Sequence, residues 1–204
     1  MPSPRSRSIS LLPALAAAWL LSAPSLARAA EDCLSCHDTE DNVGDAALVI
    51  DAAAFEATPH GAAGIACADC HAGHEEYPHP AADARASCAS CHSDVTEGLA
   101  TSVHGRPDAP DLKHPGCTSC HGPTHALHAR DDDASPVHPS RLATTCGACH
   151  SDPELGAREG VRLVQPIAAY QASVHARGVA AGEHAATCSS CHGSHDIRPG
   201  EDAA

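Results

Sequence analysis

Twelve cysteines and six histidines of this 204-residue sequence fall into one phrase, Cys-x-x-Cys-His, written six times. The phrase stands at Cys33, Cys36 and His37; at Cys67, Cys70 and His71; and at Cys88, Cys91 and His92. It returns at Cys117, Cys120 and His121; at Cys146, Cys149 and His150; and at Cys188, Cys191 and His192. No cysteine is left over. The spacing sets two thiols one helical turn apart with an imidazole beside the second. That is the arrangement that bonds the two vinyl groups of a c-type haem and offers its iron a proximal ligand.

Other chemistries of paired cysteines fit less well. Zinc ribbons use Cys-x-x-Cys pairs but do not require a His directly after each second Cys. Histidine stands at 17 of 204 positions, and six chance placements there have odds of roughly one in a few million. A thioredoxin-like site needs one such motif within a βαβ pattern, and a disulfide framework would not repeat with this regularity. The expected cofactor set is therefore six covalent haem c groups, with no catalytic residue assigned.

The elements that must position these groups show an internal repeat. Three motifs, at Cys33, Cys88 and Cys146, begin units whose first cysteines lie 55 and 58 residues apart. Each is followed by a helical stretch ending in a His, then by a second motif, then by a further His. The stretches run to His60, His104 and His175, and the trailing histidines are His74, His125 and His195. Asp51 and Asp94 read as N-caps, Pro166 as a first-turn residue, and Gly61, Gly105 and Gly178 as stops. From His104 to Cys117 and from His175 to Cys188 is thirteen residues, against seven from His60 to Cys67. The chain so divides into a signal segment over 1–29 and a hexahaem domain over 30–204, made of dihaem units near 30–80, 81–139 and 140–204.

The sixth iron ligand decides what such a chain does. Met1 is the sole Met and Lys113 the sole Lys, which leaves bis-His ligation. The six repeated histidines are the candidate distal ligands. Opposed axial approach suggests that each trailing His serves the first haem of its own unit and each helix-end His the second. His79 and His138, before the motifs at Cys88 and Cys146, are rivals, as are His114, His128 and His184.

Composition limits the rest. Phe55, Tyr77 and Tyr170 are the sole aromatics after residue 30, and the apolar content is mostly Ala. Such a chain cannot bury enough surface to offset its conformational entropy. Haem must supply the missing core, and folding should be coupled to its attachment. Residues 1–30 show Arg5 and Arg7, an apolar run from Ile9 to Leu21 broken by Pro13, and Ala27-Arg28-Ala29, the pattern of a cleaved secretory signal. A retained anchor is the alternative. Later residues hold no apolar run long enough for a membrane span. Loss of the signal removes three of the 12 basic residues against 26 acidic ones. The surface would then repel nucleic acid and suit basic docking patches on redox partners; solubility is the alternative use of the same charge.

The phrases Ser102-Val103-His104-Gly105 and Cys188-x-x-Cys191-His192-Gly193-Ser194-His195 resemble the periplasmic multihaem c-type cytochromes of anaerobic respiration. Those include the nitrate/nitrite-associated and decahaem-conduit families. Thr58-Pro59 and Ala176 depart from the first phrase. The resemblance implies a haem-packed, loop-rich fold with closely stacked, low-potential bis-His haems. With the short helices, it gives a mainly α class with little or no β-sheet, wrapped around a chain of six haems. It also implies a periplasmic or extracellular carrier of single electrons between donor and acceptor proteins in metal, nitrogen or sulfur respiration. The alternatives are a nitrite, hydroxylamine or sulfur-oxyanion reductase with one open haem, and a subunit of an extracellular cytochrome filament. Intact-mass measurement of the exported protein should show the chain from about residue 30 plus six haem masses; a mass with zinc or disulfides and no haem would reject the covalent motif.

Overall fold

The computed structural model describes residues 33–74, 77, 79, 87–105, 114–154 and 165–198. The expected signal or anchor at 1–29 lies outside the described residues. Within them the chain is helix and turn without a strand, a mainly α fold with a high loop content. The longest helices, Ser93–Thr101 and Leu142–His150, have nine residues each. Helices this short do not persist alone in water, so their stability must come from what they pack on.

No apolar side chain among the described residues is fully buried. The buried side chains are hydroxyls: Thr58, Ser102, Ser135 and Thr187. Thr58 and Ser102 occupy matching places, two residues before His60 and His104, and each closes a local turn. Thr58 donates its hydroxyl to the Phe55 carbonyl at 2.7 Å and accepts from the Gly61 N–H at 3.0 Å. Ser102 accepts from the His104 N–H at 3.0 Å. In the third unit Ser173 accepts from the Ala176 N–H at 3.2 Å. A hydroxyl here ends one helix and caps the turn or helix after it.

This alters the expected geometry. In the first and third units the histidine does not end a helix but lies in the first turn of the next one. Ala52–Glu56 is followed by Pro59–Ala62, which carries His60, and Pro166–Gln171 by Val174–Ala180, which carries His175. Asp51 is an N-cap, accepting from Ala54 N–H at 3.0 Å, and Pro166 opens its helix as expected. Asp94 is not a cap: its helix begins at Ser93, one residue after the motif's His92. The glycines are not helix stops either. A Cβ at Gly61 would overlap the Phe55 carbonyl oxygen, and one at Gly105 the Leu99 carbonyl oxygen. Glycine is required there because the chain folds back against the preceding helix.

The second motif of each unit sits on its own one-turn helix, capped from inside. The side chain just before the second Cys accepts from the N–H just before the first. The bonds are Ala66 N–H to Asp69 at 2.8 Å, Gly116 N–H to Ser119 at 3.1 Å and Thr187 N–H to Ser190 at 3.0 Å. Each cap holds two thiols on one face of a turn that has little intrinsic stability.

Side-chain and backbone contacts join the units. The Phe55 ring meets His125 edge-on at 6.1 Å. The Val103 N–H donates to the Ile197 carbonyl at 2.9 Å. Within the third unit, helix Pro166–Gln171 packs on Leu142–His150, and the Tyr170 hydroxyl donates to the Ala186 carbonyl at 3.1 Å. Gly105→Ala should destabilise the holoprotein by about 1–3 kcal/mol through overlap. Gly98→Ala, whose Cβ would meet nothing closer than 3.9 Å, should be neutral or stabilise by up to about 1 kcal/mol. Denaturant unfolding of both variants checks this, and equal midpoints would refute the fold-back constraint.

Candidate haem-binding site

Histidine rings come together in pairs. His37 faces His79 at 6.1 Å between ring centroids, nearly parallel at 13°. His60 faces His92 at 6.0 Å, and His71 faces His125 at 5.9 Å. His104 faces His150 at 6.0 Å, and His121 faces His195 at 5.9 Å, parallel to within 5°. Five of the six motif histidines thus have a second imidazole at one nearly constant distance. These rings are too far apart for van der Waals stacking, so contact between them does not set the spacing.

An iron between two imidazoles would set it. A metal–nitrogen bond of about 2 Å on each side, with the ring centroid about 1.2 Å behind each nitrogen, puts the centroids about 6.4 Å apart. Among the described residues no three side chains of His, Cys, Asp or Glu converge as a metal ion's ligand set. Opposed pairs of imidazoles beside paired thiols suit a metal whose equatorial positions are filled by a macrocycle. The donor set therefore fits haem.

The local bonds leave the right nitrogen available. His37 Nδ1 lies 2.9 Å from the Leu48 carbonyl; a carbonyl only accepts, so Nδ1 carries the proton and Nε2 keeps its lone pair. Burial, followed by neighbouring imidazoles, holds His104, His121 and His125 below the ordinary histidine pKa. At neutral pH these rings are uncharged and able to ligate. His79 Nδ1 is buried without a hydrogen-bond partner among the described residues.

The thiols are neighbours as well. Cys67 lies against Cys33, Cys88 against Cys117, and Cys146 against Cys188, the first cysteines of the two motifs in each expected unit. Burial first and then this neighbour push the Cys146 thiol up to about 11. Between units, Cys70 feels Cys91, and Cys120 feels Cys149. The six motifs therefore follow one another in space as they do in sequence.

The pairing differs from the within-unit arrangement expected on geometric grounds. His60 faces His92, and His104 faces His150, so a histidine before the second motif of one unit meets the first motif of the next. Trailing histidines reach back the other way: His125 faces His71, and His195 faces His121. Spacing along a chain does not say which turns lie opposite, so it carries no sign of this one-unit shift. His79, a rival ligand for the Cys88 motif by its place in the sequence, has its ring facing His37. His74 sits by the first two pairs, 6.3 Å from His71 and 4.8 Å from His79.

Other histidines have local roles. His128 bonds the Asp132 carboxylate at 2.9 Å, and His138 pairs with the Ser140 hydroxyl at 2.7 Å, both shaping the loop before helix Leu142–His150. His114 lies near His104. His175, His184 and His192 are exposed and have no imidazole opposite them among the described residues. His184 lines a groove of about 530 Å³ with Arg130 and Ser190.

Residues 22–93, which hold the first three motifs, match the family model described as cytochrome c3. This similarity supports a multihaem c-type cytochrome that transfers electrons by covalently bound haem. No curated protein and no solved structure matches the chain. With the paired rings as haem ligands, His104→Ala or His125→Ala should each convert one haem from low to high spin, read by electron paramagnetic resonance. His128→Ala should convert none, because its imidazole is engaged by Asp132. A silent His104→Ala would remove His104 from the ligands.

Proposed function

We propose that the chain carries six haem c groups in three consecutive dihaem units and passes single electrons between donor and acceptor proteins. The observation that carries this reading is the set of five imidazole pairs at 5.9–6.1 Å, each with one member from a Cys-x-x-Cys-His motif. Cys33 and Cys36, Cys67 and Cys70, Cys88 and Cys91, Cys117 and Cys120, Cys146 and Cys149, and Cys188 and Cys191 would hold the haems covalently. When bound, haem supplies an iron that gains and loses one electron without otherwise changing its bonds.

The chain's residues do the rest. The paired imidazoles of His37 and His79, His60 and His92, His71 and His125, His104 and His150, and His121 and His195 would hold the metal and keep small molecules off it, which favours a carrier over a catalyst. Carbonyl partners such as Leu48 orient the rings and adjust their basicity, and through it the potential. A difference of about 59 mV shifts a one-electron equilibrium tenfold, so small local changes set direction. The excess of acidic residues suits partners with basic docking patches. Covalent haem attachment and the signal-like start support a periplasmic or extracellular location, and among the described residues no helix is long and apolar enough to cross a membrane.

A reductase reading has one observation in its favour, the exposed His192, which faces no second imidazole among the described residues. A reductive titration separates the readings. The carrier should take up six electrons per chain, show at least five low-spin haems, and turn over neither nitrite nor hydroxylamine. Sustained reduction of either substrate by the purified holoprotein would establish the enzyme instead.

A further inference from the structure

A short helix follows the first motif of each unit, and in all three units it lies against the site of the second motif. In the first unit Phe55 meets His125, the ring that faces His71. In the second, a Cβ at Gly98 would lie 4.0 Å from that of His195, the ring that faces His121. In the third, Tyr170 lies beside Cys188. Phe55, Leu99 and Tyr170 hold one repeat position, five residues before His60, His104 and His175. Of the three, Tyr170 alone carries a hydroxyl. We propose that Tyr170 is a positioning residue for the haem of Cys188, Cys191 and His192, fixing that motif against the one at Cys146, a role that rests on the six-haem reading above and adds a residue outside its ligand set.

The hydroxyl donates to the Ala186 carbonyl at 3.1 Å. Ala186 stands just before Thr187, whose N–H donates to Ser190 Oγ at 3.0 Å and whose hydroxyl pairs with that of Ser189 at 3.1 Å. Those bonds cap the one-turn helix Cys188–His192, so the phenol grips the chain at the last residue before the cap. Burial, followed by Cys188, pushes the phenol above the ordinary tyrosine pKa, and the hydroxyl stays protonated and donating at neutral pH.

The same helix is footed on the other motif of its unit. Pro166–Gln171 packs on Leu142–His150, and a Cβ at Gly147, between Cys146 and Cys149, would stand 3.4 Å from Ile167. Ile167 and Tyr170 are three residues apart, neighbours on one helix face. One face of one helix therefore touches both motifs, whose first cysteines lie against each other. With no buried apolar side chain among the described residues to hold the two motif helices in register, this brace takes that part. The orientation of a ligating imidazole adjusts its basicity and the potential of the metal it holds. A bond that fixes the turn bearing His192 thereby sets the potential of the haem there, and Phe55 and Leu99 offer the second and fourth haems no such bond.

Tyr170→Phe in the holoprotein is the test, because it removes the hydrogen bond and keeps the ring. Intact mass should still show six haems. The reduction equilibrium of one haem should move by about threefold to tenfold, the upper figure being about 59 mV, and the electron paramagnetic resonance signal of that haem should change with it. In the parent protein, nuclear Overhauser contacts from the Tyr170 ring should reach the same haem. Tyr77→Phe, whose ring is 88% exposed, should move none. Unchanged potentials and spectra in Tyr170→Phe would overturn the proposal. So would a loss of stability with an equal shift at every haem, the result of a hydroxyl that serves the fold alone. Fewer than six haem masses on the parent chain would defeat the six-haem reading, and the proposal with it.

Discussion

The structure depends on a deficit: among the described residues, the polypeptide buries no apolar side chain of its own. Imidazoles from distant parts of the chain stand about 6 Å apart, and thiols of neighbouring motifs lie against one another. Neither contact stabilises a fold by itself, since the rings do not touch and the thiols desolvate one another. Both would become favourable with a haem in the gap, held by the cysteines and by the paired histidines. In the proposed reading the cofactor is the core, and the chain is a scaffold of caps and turns around it.

This explains why the buried side chains are hydroxyls. Thr58 and Ser102 stabilise no hydrophobic interior; each fixes a reversal of the chain just before a histidine. The bonds are worth about 1 kcal/mol apiece. Their use is directional, because a ligating ring must be held to a fraction of an ångström when no surrounding core steers it. Gly61 and Gly105 serve the same reversal by letting backbone meet backbone.

Exchange of histidines between units has a mechanical consequence. A dihaem unit that ligated only its own haems could move independently of its neighbours. In the proposed reading, with His60 and His125 crossing one junction and His104 and His195 the other, the units would be tied in series by pairs of opposed crossings. The arrangement resembles a repeat array in which each element is completed by the next. It also holds neighbouring motifs at short range, as single-electron transfer requires.

Much was legible in the sequence because the covalent motif is local. Two thiols and an imidazole within five residues identify their chemistry in any fold, and short helices capped by Asp51 or opened by Pro166 follow from nearest-neighbour rules. The scarcity of large apolar residues likewise foretold a fold without its own core. The choice of second ring for each motif was not legible. His60 stands eleven residues before His71 yet faces His92, and His79 stands nine before Cys88 yet faces His37. A second axial ligand must come from the opposite face of the ring, where the chain's own direction carries no information. That choice belongs to the way successive units pack, and only the tertiary structure decides it.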